Sequence, residues 1–79
     1  MDSEFSCKIQ KHYATIGTSK RDTLELNLVS FNDYPARVDL RRWATGPDGE
    51  RIPLKGVSLN QHEIQALSEA LKKILLEGE

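Results

Sequence analysis

The stretch Leu24-Glu-Leu-Asn-Leu-Val-Ser-Phe-Asn-Asp-Tyr-Pro-Ala-Arg-Val-Asp-Leu-Arg-Arg-Trp-Ala-Thr45 sets the architecture of the chain. Leu24, Leu26 and Leu28 alternate with Glu25, Asn27 and Val29, which is the period of a strand with one apolar face. Asn32, Asp33, Tyr34 and Pro35 interrupt the alternation with turn chemistry, because Asn and Asp bond their own backbone and Pro fixes φ. The alternation then resumes: Val38, Leu40 and Ala44 share one parity, and Arg37, Asp39, Arg41 and Trp43 the other. The segment is therefore a β-hairpin. Trp43 is expected on the same face as Arg37 and Arg41, turned away from the leucine face, which is read as the core face. Arg42 breaks the apolar parity and marks a bulge or the edge of the core.

On the N-terminal side, Phe5, Cys7 and Ile9 share a parity against Lys8 and Gln10, so a strand is expected from Phe5 to Ile16, joined to the hairpin by the polar run Gly17 to Asp22. On the C-terminal side, Gly46-Pro47-Asp48-Gly49 forms the next turn. Leu54 to Leu59 reads as a short fourth strand, weakened or bulged at Gly56. Asn60 with Glu63 is a capping-box helix start, and Ile64, Leu67, Leu71, Ile74 and Leu75 fall at helical spacing up to a stop near Gly78. Four strands in series followed by one helix make an α+β meander of type β-β-β-β-α, a single domain spanning residues 1–79. Ala70 and Leu76 widen the apolar stripe beyond what one side of such a sheet covers, so the helix is expected to pack on a second helix as well.

Composition narrows the function. Seventy-nine residues with 38% apolar and 29% charged side chains describe a globular chain, and one this short buries only about 60–65% of its unfolded surface. No apolar run approaches the roughly 18 residues of a membrane span. The first residues lack the charge and apolar pattern of a signal peptide, so a cytoplasmic location is expected. Cys7 is the single cysteine and is expected in the core. His12 and His62 lie fifty positions apart, so neither a metal site nor any other cofactor is expected. The net charge is −1, but residues 36–56 hold five basic groups (Arg37, Arg41, Arg42, Arg51, Lys55) against three acidic ones. Glu25 and Asp39 read as solvated partners of these arginines, and a thin sheet offers no depth for paired catalytic carboxylates. An enzyme is not expected.

Phe31, Tyr34 and Trp43, interleaved with Arg37, Arg41 and Arg42 and followed by Lys55, suit single-stranded nucleic acid: unpaired bases stack on rings while cations track phosphates. On residue pattern alone the competing reading stays open, with Trp43 as ordinary edge packing and the arginines as a solvated face. The same residues also suit a protein-interaction dimer, since Trp, Tyr and Arg are enriched at interface hot spots.

Three linked motifs add a resemblance: Glu25-Leu-Asn-Leu-Val-Ser30 followed by an aromatic residue and Asn32; Asp39-Leu-Arg41 with Trp43; and Lys55-Gly-Val-Ser-Leu59 leading into the helix. Over about Phe5 to Leu76 the chain resembles the family of the transcriptional coactivator positive cofactor four, most closely its compact bacterial, YdbC-like branch. The resemblance implies a curved four-stranded antiparallel sheet and a homodimer through the helices, with Ile64, Leu67, Leu71, Ile74 and Leu75 in the interface. It implies binding of single-stranded DNA, which is read as largely sequence-independent and as serving transcription, replication or repair, at the nucleoid if the source is bacterial; an RNA-binding version stays open, because nothing in the residues reads a 2′-hydroxyl. Transcription or repair machinery is then a further partner. In that reading Trp43, Phe31 and Tyr34 stack bases, Arg37, Arg41 and Lys55 neutralise phosphates, and Arg42 and Lys11 stand at the margin. Where the bacterial branch tends to carry tryptophan and lysine before the Glu-Leu-Asn motif, this chain has Asp22 and Leu24, which implies a weaker contribution from the loop between the first two strands.

Overall fold

The computed structural model describes residues 6–78. Four strands, β1 (Cys7–Thr18), β2 (Asp22–Phe31), β3 (Arg37–Thr45) and β4 (Arg51–Leu59), form one antiparallel sheet in the order β1-β2-β3-β4, and α1 (Gln61–Leu76) follows. This is the expected meander and helix. The expected start of β1 at Phe5 lies outside the described residues. β1 runs on to Thr18, and β4 begins at Arg51 rather than Leu54. Pro53 does not interrupt β4 because that strand is an edge, where a missing N–H breaks no ladder.

The β2–β3 hairpin keeps a continuous register from Asp22 opposite Ala44 to Val29 opposite Arg37, so strict alternation holds along both strands. Its two outer partners do not keep it. From Cys7 to Thr18 β1 takes eleven steps where β2 takes eight from Phe31 to Thr23, and the three extra residues appear as register shifts after Ile9, His12 and Thr15. The β3–β4 ladder shifts once, between Arg41 and Trp43, opposite the Pro53-Leu54-Lys55-Gly56 run. Bulges bend and twist a strand. Each also inverts the parity of the residues beyond it, so after Ile9 the residues opposite Asn27, Glu25 and Thr23 are His12, Thr15 and Thr18.

The burial corrects the expected core. Among the described residues Val29 and Trp43 are the buried apolar ones, with Glu25, Asn27, Ser30 and Asp39 buried beside them, whereas Leu24, Leu26 and Leu28 are only half-buried. Apart from Ser30, the buried set lies on the face opposite the leucines. The reason is the helix: a single residue, Asn60, separates it from β4 and its backbone approaches β4 alone, so most of the leucine face receives little cover from the other described residues. The helix start is as expected. Asn60 Oδ1 accepts the Glu63 N–H at 2.8 Å and the Glu63 carboxylate accepts the Asn60 N–H at 2.9 Å, satisfying two otherwise orphan donors.

Candidate nucleic-acid interface

The face carrying the buried polar residues holds two networks. In the first, Asp39 is fully buried and receives Arg41 in a fork, Nε on Oδ1 at 2.7 Å and Nη2 on Oδ2 at 2.8 Å, plus the Ser58 hydroxyl at 3.0 Å. Arg41 Nη1 donates to the Leu54 carbonyl at 2.9 Å. The guanidinium of Arg41 lies 4.9 Å from the centre of the Phe31 ring. Three of the four hydrogen bonds in this set reach a carboxylate that water does not touch, so Arg41 is committed to holding β3, β4 and Phe31 together.

In the second network Glu25 accepts from the Thr23 hydroxyl, from Asn27 Nδ2 at 3.1 Å and from Arg51 Nη2 at 2.6 Å. Burial pushes the Glu25 carboxyl up, but these three donors and the charge of Arg51 outweigh it and hold the group below its ordinary value. Asn27, fully buried, passes the chain of bonds to His12 through Oδ1 and Nδ1 at 2.6 Å, and His12 Nε2 meets the Thr15 hydroxyl at 3.2 Å. Both carboxylates are thus paired with arginines as expected, but they are buried and not solvated.

Trp43 shares its face with Arg37 and Arg41, as the alternation predicts. It does not lie open. Only 1% of it is exposed; Pro53 sits across from it and the Arg51 guanidinium covers its ring at 5.5 Å. Its indole N–H has no acceptor among the described residues. Arg51, the residue covering it, was missed as a site residue because the expected β4 began three positions later.

At the other end of the face an opening of about 350 Å³ is lined by Val29, Phe31, Tyr34, Pro35, Arg37 and Ser58. Tyr34 is 71% exposed and rigidly presented. Asn32 and Asp33 both take positive φ, 51° and 66°, which Asn and Asp tolerate better than other side chains. Tyr34 N–H donates to the Phe31 carbonyl at 2.9 Å, the Ser30 hydroxyl donates to the Tyr34 carbonyl at 2.6 Å, and Asn32 is tied to Ser6 by two bonds of 2.8 Å. Arg37 and Lys55 are exposed and carry no carboxylate partner among the described residues. Cys7, paired with Phe31, is half-buried, and that burial raises its thiol pKa against the opposing pull of Arg41.

The structure therefore brings Phe31, Tyr34 and Arg37 together, with Arg41 beneath Phe31. Two expected marginal residues fall elsewhere. Arg42 lies opposite Leu24 on the leucine face and pairs with Asp22 at 3.0 Å. Lys11 lies opposite Leu28, with its ammonium 5.3 Å from the Tyr13 ring.

Comparison with known proteins agrees with the fold and the motifs. The chain is 32% identical over 78 residues, 98% of its own length and 88% of the relative's, to an uncharacterized protein of Treponema pallidum (strain Nichols). The sequence pattern of the family described as Transcriptional Coactivator p15 (PC4) matches residues 18–70, which run from the end of β1 through most of α1 and include the whole hairpin with Phe31, Tyr34, Arg37 and Trp43. On a match over that much of its length, the chain belongs to the transcriptional coactivator p15 (PC4) family.

Proposed function

We propose that this protein binds single-stranded DNA, largely without regard to sequence, on the face shared by Phe31, Tyr34 and Arg37, and that it acts by binding alone as a transcriptional regulator or a replication or repair accessory. The family is one of DNA-binding, non-enzymatic coactivators, which supports the class of partner. The observation that carries the reading is the open end of the face: an exposed ring held out by a constrained turn, a second ring behind it, and an arginine with no carboxylate partner among the described residues. Unstacked bases gain about 1–3 kcal/mol each on such rings. In a duplex the bases are already stacked and cannot reach them. Lys55 supplies a further phosphate contact, Arg41 orients Phe31, and Trp43 forms the closed floor at the far end. DNA as partner puts the protein with the nucleic acid, at the nucleoid in a bacterium; among the described residues no helix is long and apolar enough to cross a membrane.

Fluorescence anisotropy with a labelled thymidine dodecamer tests this. Tyr34→Ala is expected to weaken binding by about 1–3 kcal/mol, with log affinity falling against log salt at about −0.7 per phosphate neutralised. Equal affinity for the matched duplex, or a salt slope near zero, would contradict it.

The same reading includes a homodimer. Between the leucine face and α1 lies an apolar groove of about 340 Å³ lined by Leu26, Val38, Leu59, Ile64, Leu67 and Leu71, continued by Leu75. Ile74 and Leu75 are 57% and 79% exposed, and α1 has no buried residue. Exposed apolar surface of this kind marks an interface, and a second copy of the helix supplies the apolar stripe that would fill it. Sedimentation should give twice the chain mass of 8.9 kDa for the wild type and a smaller assembly for Leu71→Lys; an unchanged mass in that variant would put the interface elsewhere.

A further inference from the structure

We infer that the opening between Phe31 and Tyr34 seats a thymine with its C5-methyl against Val29, and that this methyl, rather than the sugar, makes the protein prefer DNA to RNA. The inference rests on the binding reading above and adds to it the base that the site favours and the residue that favours it.

The lining of the opening grades from apolar inside to polar outside. Val29 is 1% exposed, Phe31 and Ser58 are half-buried, and Tyr34, Pro35 and Arg37 are exposed, so Val29 closes the inner end. Its backbone adds no polar group to that floor. Val29 stands between Ile9 of β1 and Arg37 of β3, and in a sheet the N–H and C=O groups point along the ladders rather than toward either face. The rim is polar in a defined sense. Arg37 has donors only, and no carboxylate partner among the described residues. The Ser58 hydroxyl gives its proton to Asp39 Oδ2 at 3.0 Å, so toward a ligand its oxygen can only accept.

The rim does not choose among bases. Each Watson–Crick edge places a donor beside an acceptor: N3–H and O4 in thymine, N4–H and N3 in cytosine, N6–H and N1 in adenine, N1–H and O6 in guanine. An arginine donor and a hydroxyl acceptor suit any of them, and the rings are as tolerant because every base has a π-face. The floor does choose. A base whose Watson–Crick edge meets the rim turns its opposite edge to Val29. In a purine that edge carries the acceptor N7, which Val29 cannot answer, and an unanswered acceptor costs free energy. In a pyrimidine it is carbon only, and in thymine it carries the C5-methyl.

RNA differs from DNA in the 2′-hydroxyl and in having uracil where DNA has thymine. The floor reads the second difference. Burying a methyl group corresponds to about fourfold in affinity, from about 0.8 kcal/mol at 1.4 kcal/mol per tenfold, which is a small preference on top of tolerant stacking.

The experiment is anisotropy with four labelled dodecamers, of thymidine, deoxyuridine, uridine and 5-methyluridine, so that methyl and hydroxyl vary independently. Each methylated oligomer is expected to bind about fourfold more tightly than its unmethylated counterpart for every base seated, with a smaller effect of the sugar. Equal affinity for thymidine and deoxyuridine oligomers overturns the inference and leaves the binding reading intact; an effect of the sugar larger than that of the methyl also overturns it. Failure of the wild type to bind any of the four removes the binding reading, and this inference with it. Two variants locate the methyl, because a methyl also strengthens stacking. Val29→Ala is expected to bring the thymidine-to-deoxyuridine ratio close to one, and Tyr34→Ala to weaken both oligomers while keeping the ratio. The reverse pattern would assign the methyl to the stacking ring and overturn the role of Val29. Should Val29→Ala lose the circular dichroism of the fold, Val29→Ile replaces it: the added carbon fills the seat of the methyl, and a ratio unchanged from the wild type would again overturn the assignment.

Discussion

Gly56→Ala is expected to destabilise the fold by about 4 kcal/mol or more, read as a large fall in the urea unfolding midpoint by circular dichroism. Gly56 stands opposite Arg41 in the β3–β4 ladder. A Cβ at this position would overlap the Cβ of Arg41 and lie about 2.5 Å from both the Arg41 Cα and the Leu40 carbonyl oxygen. These neighbours are backbone or first side-chain atoms, so no rotamer change relieves the clash and β4 must leave β3. Ordinary overpacking costs about 1–3 kcal/mol. A displaced strand should cost more, about 4 kcal/mol or above, against a total stability of about 4–12 kcal/mol for a chain of this length. Gly49→Ala is the control: that residue has φ of 87° but open space around it, so it should lose only about 1 kcal/mol from the unfavourable backbone region. A Gly56→Ala chain within about 1 kcal/mol of the wild type would mean that the strands do not approach so closely in solution.

The contrast between the two glycines bears on what the sequence reveals. The hairpin was legible because alternation runs along the residues on either side of the Asn32–Pro35 turn, and the continuous register of the two strands repeats it. The capping box was legible because it depends on two residues three positions apart. Gly56 was legible only as an irregularity: a glycine in a strand signals close approach or a bulge, and which atoms approach is a tertiary fact. The face of β1 beyond Ile9 was not legible, because each bulge flips parity and nothing in the residues from Lys11 to Gly17 announces three of them. His12 joined the inner network for that reason alone.

Trp43 marks the same limit at the site. Period 2 put it on the correct face, beside Arg37 and Arg41, but alternation does not say whether a face is open. In this chain the polar face is the more covered one, since the bulged strands and the Arg41 and Arg51 side chains close over it and α1 leaves the leucines half-exposed. The exposed ring of the site is Tyr34, in a turn where no periodicity applies. Its exposure follows from two consecutive positive φ values, which turn propensity suggests and does not locate.

Asp39→Asn is expected to destabilise the fold by about 3–5 kcal/mol, the loss seen when one partner of a buried ion pair is removed. Asp39 has no solvent exposure and Arg41 is largely covered, with 16% of its side chain exposed. Asparagine keeps the volume, but it cannot accept both arms of the guanidinium fork and the Ser58 hydroxyl, and its amide would face donors. The result is a partly buried cation without its counter-charge. A urea midpoint within about 1 kcal/mol of the wild type would show that water already reaches the pair. The double variant Asp39→Leu/Arg41→Met separates stability from function. Replacing both members of a buried pair by apolar groups of similar size is often neutral or stabilising, so this chain should recover most of the lost stability. It should not recover DNA affinity, because the cation that lies 4.9 Å from the Phe31 ring is gone and the ring loses its fixed support at the stacking end. If the double variant binds the thymidine dodecamer as the wild type does, Arg41 is structural only, and Tyr34 with Arg37 suffices to hold the strand.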